Sequence, residues 1–144
     1  MYTSEYPPFY VTADIVVLRY GKDVLQVLLI KRKADPYKDC WALPGGFVNM
    51  DETVEEAACR ELAEETGIQR EPAQLTLTGV WSKPDRDPRM RVVSNSFLTT
   101  FSKDAVRAGD DAAGFSWVPV SQIENWNLAF DHLSIIRRSL GRFG

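Results

Sequence analysis

The chain predicts a mixed β-sheet with a helix on each face, and three features of its 144 residues carry that expectation. Two apolar, β-branched runs open it around a glycine-containing turn, strand-like runs recur past the midpoint, and only two segments keep a helical period for long. Val11 to Arg19 and Val24 to Arg32 form the opening hairpin, turned at Tyr20-Gly21-Lys22-Asp23. The second run is almost wholly apolar, which suits a strand buried on both faces. Residues 33–45 read as a loop, and Glu52 to Thr66 as an acidic helix stopped by Gly67. Leu75 to Ser82 and Val92 to Phe101 are further strands joined by a charged loop, Pro84 to Arg89. Phe115 to Val118 is a short strand ended by Pro119. Ser121 to Glu124 suits one helical turn. A last amphipathic helix runs from Asp131 to Leu140, with Leu133, Ile136 and Leu140 on one stripe and Asp131 as its N-cap.

Composition narrows the function. A chain of this length buries a full core as a single domain, residues 1–144, without disulfide or metal staples. Its net charge is −3 and no basic patch stands out, which argues against a nucleic-acid partner. No apolar run approaches the roughly 18 residues a membrane span needs. The start, Met1 to Pro8, lacks the charged and apolar regions of a secretory leader. The only cysteines, Cys40 and Cys59, fit no metal or disulfide spacing and read as reduced thiols. No membrane partner and a cytoplasmic location are therefore expected.

The chemistry concentrates in the acidic helix. Residues 51–65 hold seven acids against one base, Arg60. The last three acids, Glu61, Glu64 and Glu65, fall at i, i+3 and i+4 and so project from one face. They sit near the helix C-terminus, where the dipole favours cations. At helical spacing Arg60 serves Glu64 but leaves Glu61 and Glu65 facing each other. Val54, Ala57 and Ala58 share their face, so the stripe begins as packing surface and ends as carboxylates at the rim of a core. A solvated acidic helix would explain Asp51, Glu52, Glu55 and Glu56 in the first turns but not the later cluster. A bound divalent cation would. Pro44-Gly45-Gly46 just upstream is a turn whose backbone could approach a ligand, and Gly46 could lend a carbonyl to that cation; a plain loop is the equal alternative.

Taken together, Gly46, Glu52, Arg60, Glu61, Leu62, Glu64, Glu65, Gly67 and Ile68 fill every fixed position of the pattern G-x5-E-x7-R-E-U-x-E-E-x-G-U, with U aliphatic. The chain thus resembles the Nudix hydrolases. Leu28 to Arg32 and Trp41 to Gly46 resemble that family's lead-in. Asp85-Arg86-Asp87-Pro88-Arg89 and Leu128-Ala129-Phe130-Asp131-His132 are similar to the branch containing ADP-ribose pyrophosphatases and the Nudix-related regulators of NAD metabolism.

The resemblance implies an α/β/α sandwich around a mixed sheet. It also implies magnesium, with manganese as the alternative, held by Glu61, Glu64, Glu65 and the Gly46 carbonyl, one glutamate helping to orient or deprotonate water. The reaction implied is hydrolysis of a nucleoside diphosphate linked to a group X, ADP-ribose giving AMP and ribose 5-phosphate. Another diphosphate (a sugar nucleotide, NADH, a modified nucleotide) is the alternative substrate. Arg60 pairs with Glu52 in the family pattern and would orient the carboxylates. Arg86 and Arg89, and with less support Arg32, could clamp phosphate or ribose, a solvated loop being the alternative for the first two. Trp41, Trp81 and Phe130 are stacking candidates, though isolated aromatics are more often core. His132 reads as a capping or packing residue.

Some relatives take a general base from a distant loop. Between Ser102 and Trp117 this chain offers Asp104, Asp110 and Asp111 but no glutamate, so the base stays open. A non-catalytic ADP-ribose sensor is a further alternative. The relatives of that kind carry a DNA-binding domain, for which a chain ending at Gly144 has no room unless it is a piece of a longer protein. The aromatic and proline-rich start (Tyr2, Tyr6, Pro7, Pro8, Phe9, Tyr10) packs either on its own sheet or on a partner subunit, as a homodimer.

Overall fold

A computed structural model describes residues 5–21, 23–101 and 112–143. The opening hairpin is present as β1 (Tyr10–Gly21) and β2 (Val24–Arg32). β2 carries four consecutive core residues, Val27 to Ile30, as a strand covered on both faces should. The expected loop 33–45 is not all loop, because β3 (Trp41–Ala42) and β4 (Gly45–Phe47) lie within or against it. Two- and three-residue strands carry too little alternation to be read from sequence. The acidic helix is α1 (Val54–Thr66), followed by β5 (Thr76–Trp81), β6 (Val92–Thr100), β7 (Ala112–Pro119), a 3-10 turn over Val120–Asn125 and α2 (His132–Phe143).

All seven strands form one mixed sheet ordered β3-β2-β1-β6-β5, with β4 on β1 and β7 on β2. The parallel pair is β1 with β6, in register from Tyr10↔Val92 to Leu18↔Thr100. α1 covers one face, where Ala13, Ile15, Val17, Leu28 and Phe97 meet Ala57, Ala58 and Leu62. α2 covers the other, where Val16, Leu18, Val27 and Leu29 meet Ile135 and Ile136. The alternation along β1 sends odd residues to one core and even residues to the other.

What positions the site is a split in the sheet. The second half of β1 pairs with β2 (Leu18↔Val27 to Gly21↔Val24), while its first half pairs with β4 (Thr12↔Phe47 to Asp14↔Gly45). The far end of β2 pairs instead with β3 (Ile30↔Ala42). The two strands therefore diverge, and Pro44 bridges the gap by accepting from Ile15 N at 2.9 Å. Asp14, Thr12 and Arg32 stand at its edges.

Two details of α2 differ from expectation. Its buried stripe centres on His132, Ile135, Ile136 and Ser139, with Leu133 and Leu140 at the margins. Asp131 precedes the helix, but its carboxylate binds Arg86 at 2.6 and 2.9 Å rather than serving as the N-cap. At the start of the chain Tyr6 is 79% and Phe9 57% exposed, and the Tyr10 ring meets Phe47 edge-on. No described helix is long and apolar enough to cross a membrane.

Candidate functional site

α1 is anchored at both ends. Thr53 Oγ1 accepts from Glu56 N and Glu56 accepts from Thr53 N, a reciprocal capping box. Gly67 closes the other end at φ 79, a left-handed conformation that favours glycine. Glu56 is thus a capping residue and not the partner of Arg60 that helical spacing suggests. Arg60 instead reaches Glu52 at 2.6 Å, Glu61 at 2.8 Å, Glu64 at 3.3 Å and the Phe47 carbonyl at 3.0 Å. Its fork ties the start of the acidic segment to its end. Glu61, expected to face only Glu65, has this neighbouring guanidinium because a long side chain can curl back on the adjacent residue.

The three clustered glutamates are not equivalent. Glu64 is half exposed, whereas Glu65 is buried and accepts from Gly45 N at 2.8 Å. Burial pushes the Glu65 carboxyl up to about 9; the Gly45 N–H opposes this, and nearby Glu61 and Asp14 add to it. Burial also raises Glu61, against the pull of Arg60. Gly46 lies directly on Glu61, since a Cβ there would come within 2.6 Å of its carboxylate carbon. Only glycine permits that approach of backbone to carboxylate.

These groups suit a hard divalent cation by donor chemistry. They are clustered carboxylate oxygens, Glu61 and Glu64 sharing the Arg60 guanidinium and Glu65 deeply buried beside them. Among the described residues they do not stand as a ready ligand set of three or more side chains, because Arg60 holds Glu61 and Glu64.

Beside this cluster an open cleft lies in the sheet split, lined by Arg32, Phe47, Glu65, Arg86, Arg89 and Phe130 among others; Glu61 and Glu64 are not among its lining residues. All three arginines singled out from sequence reach it, with different partners. Arg86 is buried and doubly bonded to Asp131, which joins the Asp85–Arg89 loop to the Leu128–His132 segment. Arg89 is paired with Asp87 at 2.8 Å and lies over the Phe47 ring. Arg32 has no carboxylate partner among the described residues. Its Nε donates to the Pro36 carbonyl at 2.8 Å and its guanidinium lies 5.1 Å from the Phe130 ring. Burial and the nearby charge of Arg89 lower its pKa.

Of the stacking candidates only Phe130 lines the cleft. Its φ of 53 is unusual for a bulky residue, and its ring rests on Tyr37 at 4.7 Å. Trp41 packs against Trp126, and Trp81 donates to Ser96 Oγ under Arg138. Asp104, Asp110 and Asp111, the candidate bases, lie outside the described residues.

Sequence reasoning missed Asp14, which is 7% exposed and accepts from Ser94 Oγ at 2.5 Å. The available signal was an acid inside the apolar strand Ala13-Asp14-Ile15-Val16-Val17-Leu18, where an unexplained charge is costly. His132 is a packing residue, as expected, and more. Its Nδ1 accepts from Leu43 N at 3.0 Å, its Nε2 lies 3.7 Å from Asp14 Oδ1, and it lines the cleft. Burial holds it below its ordinary pKa, with Asp14 opposing.

Comparison with known proteins bears on this arrangement. The family model described as the NUDIX domain matches residues 8–139. The chain is 48% identical over 112 residues to an ADP-ribose pyrophosphatase of Methanocaldococcus jannaschii, covering 78% of this chain and 64% of that protein. It is 32% identical over 142 residues to the ADPR responsive transcriptional repressor NtrR of Acinetobacter baylyi, covering 96% of this chain and 56% of the repressor. The chain thus spans less than two thirds of either relative's length. Among solved structures, it is similar to a bifunctional NMN adenylyltransferase/ADP ribose pyrophosphatase of Francisella tularensis complexed with AMP and a manganese ion. There the TM-score is 0.84 at 37% identity, over 98% of this chain and 44% of the other.

Proposed function

This chain belongs to the Nudix family, and from that premise we propose that it hydrolyses nucleoside diphosphates linked to a group X, with ADP-ribose giving AMP and ribose 5-phosphate. The observation carrying the reading is that one cleft joins the buried end of the glutamate cluster to an arginine held in no ion pair. Glu65 lines it together with Gly45 and Gly46, and Arg32, which has no carboxylate within ion-pair distance among the described residues, lines it too. A diphosphate is the ligand that satisfies both, given a cation between it and the glutamates.

Magnesium, or manganese in its place, would be held by Glu61, Glu64, Glu65 and the Gly46 carbonyl, and when bound would neutralise the diphosphate and acidify water. Arg32 binds the bridging phosphates. Arg60 holds Glu52 and aligns Glu61 and Glu64 by its fork. The Gly45 N–H fixes Glu65. One of the three glutamates accepts a proton from the attacking water at a carboxylate oxygen. Phe47 and Phe130 wall the cleft and limit the access of bulk water.

AMP release measured over a panel of ADP-ribose, NADH, a sugar nucleotide and a modified nucleotide, with magnesium or manganese, tests this. The expected result is the highest kcat/KM for ADP-ribose. Another diphosphate far ahead would replace the substrate, and the lack of any cation-dependent cleavage would overturn the activity.

A second reading, an ADP-ribose sensor, is favoured by the match to the repressor over nearly the whole chain. Tight binding of ADP-ribose without turnover would establish it. The complete set of Glu52, Arg60, Glu61, Glu64 and Glu65 favours catalysis.

A further inference from the structure

On the side of the cleft facing α2, three polar groups keep bonding capacity that no protein group uses. Thr12 Oγ1 is enclosed and has no hydrogen-bond partner among the described residues. Asp14, two residues along β1 and hence on the same strand face, accepts from Ser94 Oγ through Oδ2. Its Oδ1 stands 3.7 Å from His132 Nε2, too far for the two to bond each other. Because His132 Nδ1 accepts the Leu43 N–H, the imidazole proton must sit on Nε2. All three residues line the cleft. The wall therefore presents a charged acceptor and a neutral donor, with an unpartnered hydroxyl enclosed beside them.

We propose that Thr12, Asp14 and His132 form the subsite for the hydroxyls of group X, so that X is a polyhydroxylated group such as a pentose. The proposal rests on the reading that the cleft takes a nucleoside diphosphate, and it says which end of that substrate lies here. A phosphate at this wall would face the Asp14 carboxylate; Arg86 is already doubly bonded to Asp131, and Arg32 is the guanidinium left to take the phosphates. An apolar group would bury a carboxylate, an imidazole N–H and a hydroxyl without partners. A sugar hydroxyl fits both flanking groups, accepting from His132 Nε2 and donating to Asp14 Oδ1. A neighbouring hydroxyl meets Thr12 Oγ1. A site built to bond hydroxyls discriminates strongly against analogues that lack them.

The test compares ADP-ribose with the ethyl ester of ADP, which keeps the diphosphate and adenosine but replaces the sugar by an alkyl group. The wild type should prefer ADP-ribose in kcat/KM. That preference should shrink about tenfold in Thr12→Val and up to about a hundredfold in Asp14→Asn, the size of one neutral and one charge-assisted hydrogen bond. The change should appear in KM more than in kcat. Thr12→Val is nearly isosteric, so it remains informative if Asp14→Asn folds poorly. An unchanged preference in Thr12→Val, or a wild type indifferent to the two compounds, overturns the subsite. If the wild type cleaves neither compound, the proposed activity falls. The subsite is then judged by calorimetric affinities for the same pair, with the same ratios expected and the same indifference fatal.

Discussion

The charged groups on the two sides of the site are built on opposite principles. On the α1 side one guanidinium, Arg60, serves three carboxylates, and a fourth, Glu65, is buried with only a backbone N–H as donor. On the other side cations and anions are matched one to one, Arg86 with Asp131 and Arg89 with Asp87. These two pairs are satisfied within the protein, and the first of them ties the 85–89 loop to the segment before α2. The acidic side carries more carboxylates than its one guanidinium can pair, which is why the proposed cation is placed there. Arg32, without an ion-pair partner among the described residues, is the exception on that side and the residue proposed to meet the phosphates.

The largest effect should come from the buried acid. Glu65→Gln keeps an acceptor for the Gly45 N–H but removes the charge, so kcat for ADP-ribose should fall by about a thousandfold or more while the metal-free protein melts no lower than wild type. A kcat within tenfold of wild type would break the contrast between the walls. Next, Arg86→Ala strands the Asp131 carboxylate and should cost about 3 kcal/mol in urea unfolding. Arg89→Ala removes a partly exposed guanidinium but leaves the buried Asp87 carboxylate with the residue-89 N–H as its remaining donor, and should cost less, about 2 kcal/mol. Equal costs would mean that the two pairs are not distinguished by burial. Third, Arg32→Ala should raise KM for ADP-ribose about tenfold with little change in stability, because no carboxylate among the described residues depends on it. A loss of stability without a change in KM would make it a structural residue.

The smallest effect is in pH. With its carboxyl pushed up to about 9 from 4.5, Glu65 favours folding in its protonated form. That contribution is full below the unfolded value of 4.5 and is lost progressively as pH rises through the folded value of about 9. In EDTA the melting temperature should therefore decline across that window, and saturating magnesium should flatten the decline. A decline of equal slope with and without the cation would show that Glu65 does not face it.

Much of this was legible in the order of residues, and the misses have physical causes. The hairpin, the acidic helix and β6 rest on local periodicity, which survives any tertiary context. β3 and the start of β4 fall in the expected loop 33–45 because strands of two and three residues have no period; they form only because β1 and β2 diverge and leave unpaired edges. Asp131 was assigned to cap α2 from its position, but Arg86, 45 residues away in sequence, bonds its carboxylate instead. Asp14 was overlooked because its significance lies in what surrounds it: Ser94 across the parallel pair, His132 from the opposite end of the chain and Glu65 from the other layer.

By itself the sequence determined the family, the mixed sheet between two helices and the identity of the clustered carboxylates, since all three follow from spacing along one chain. Which glutamate is buried, which arginine remains without a carboxylate partner and which strand residues line the cleft were decided only by the tertiary structure. Burial and charge pairing are properties of neighbours in space. In this molecule the decisive neighbours come from β1, α1, the 85–89 loop and the start of α2.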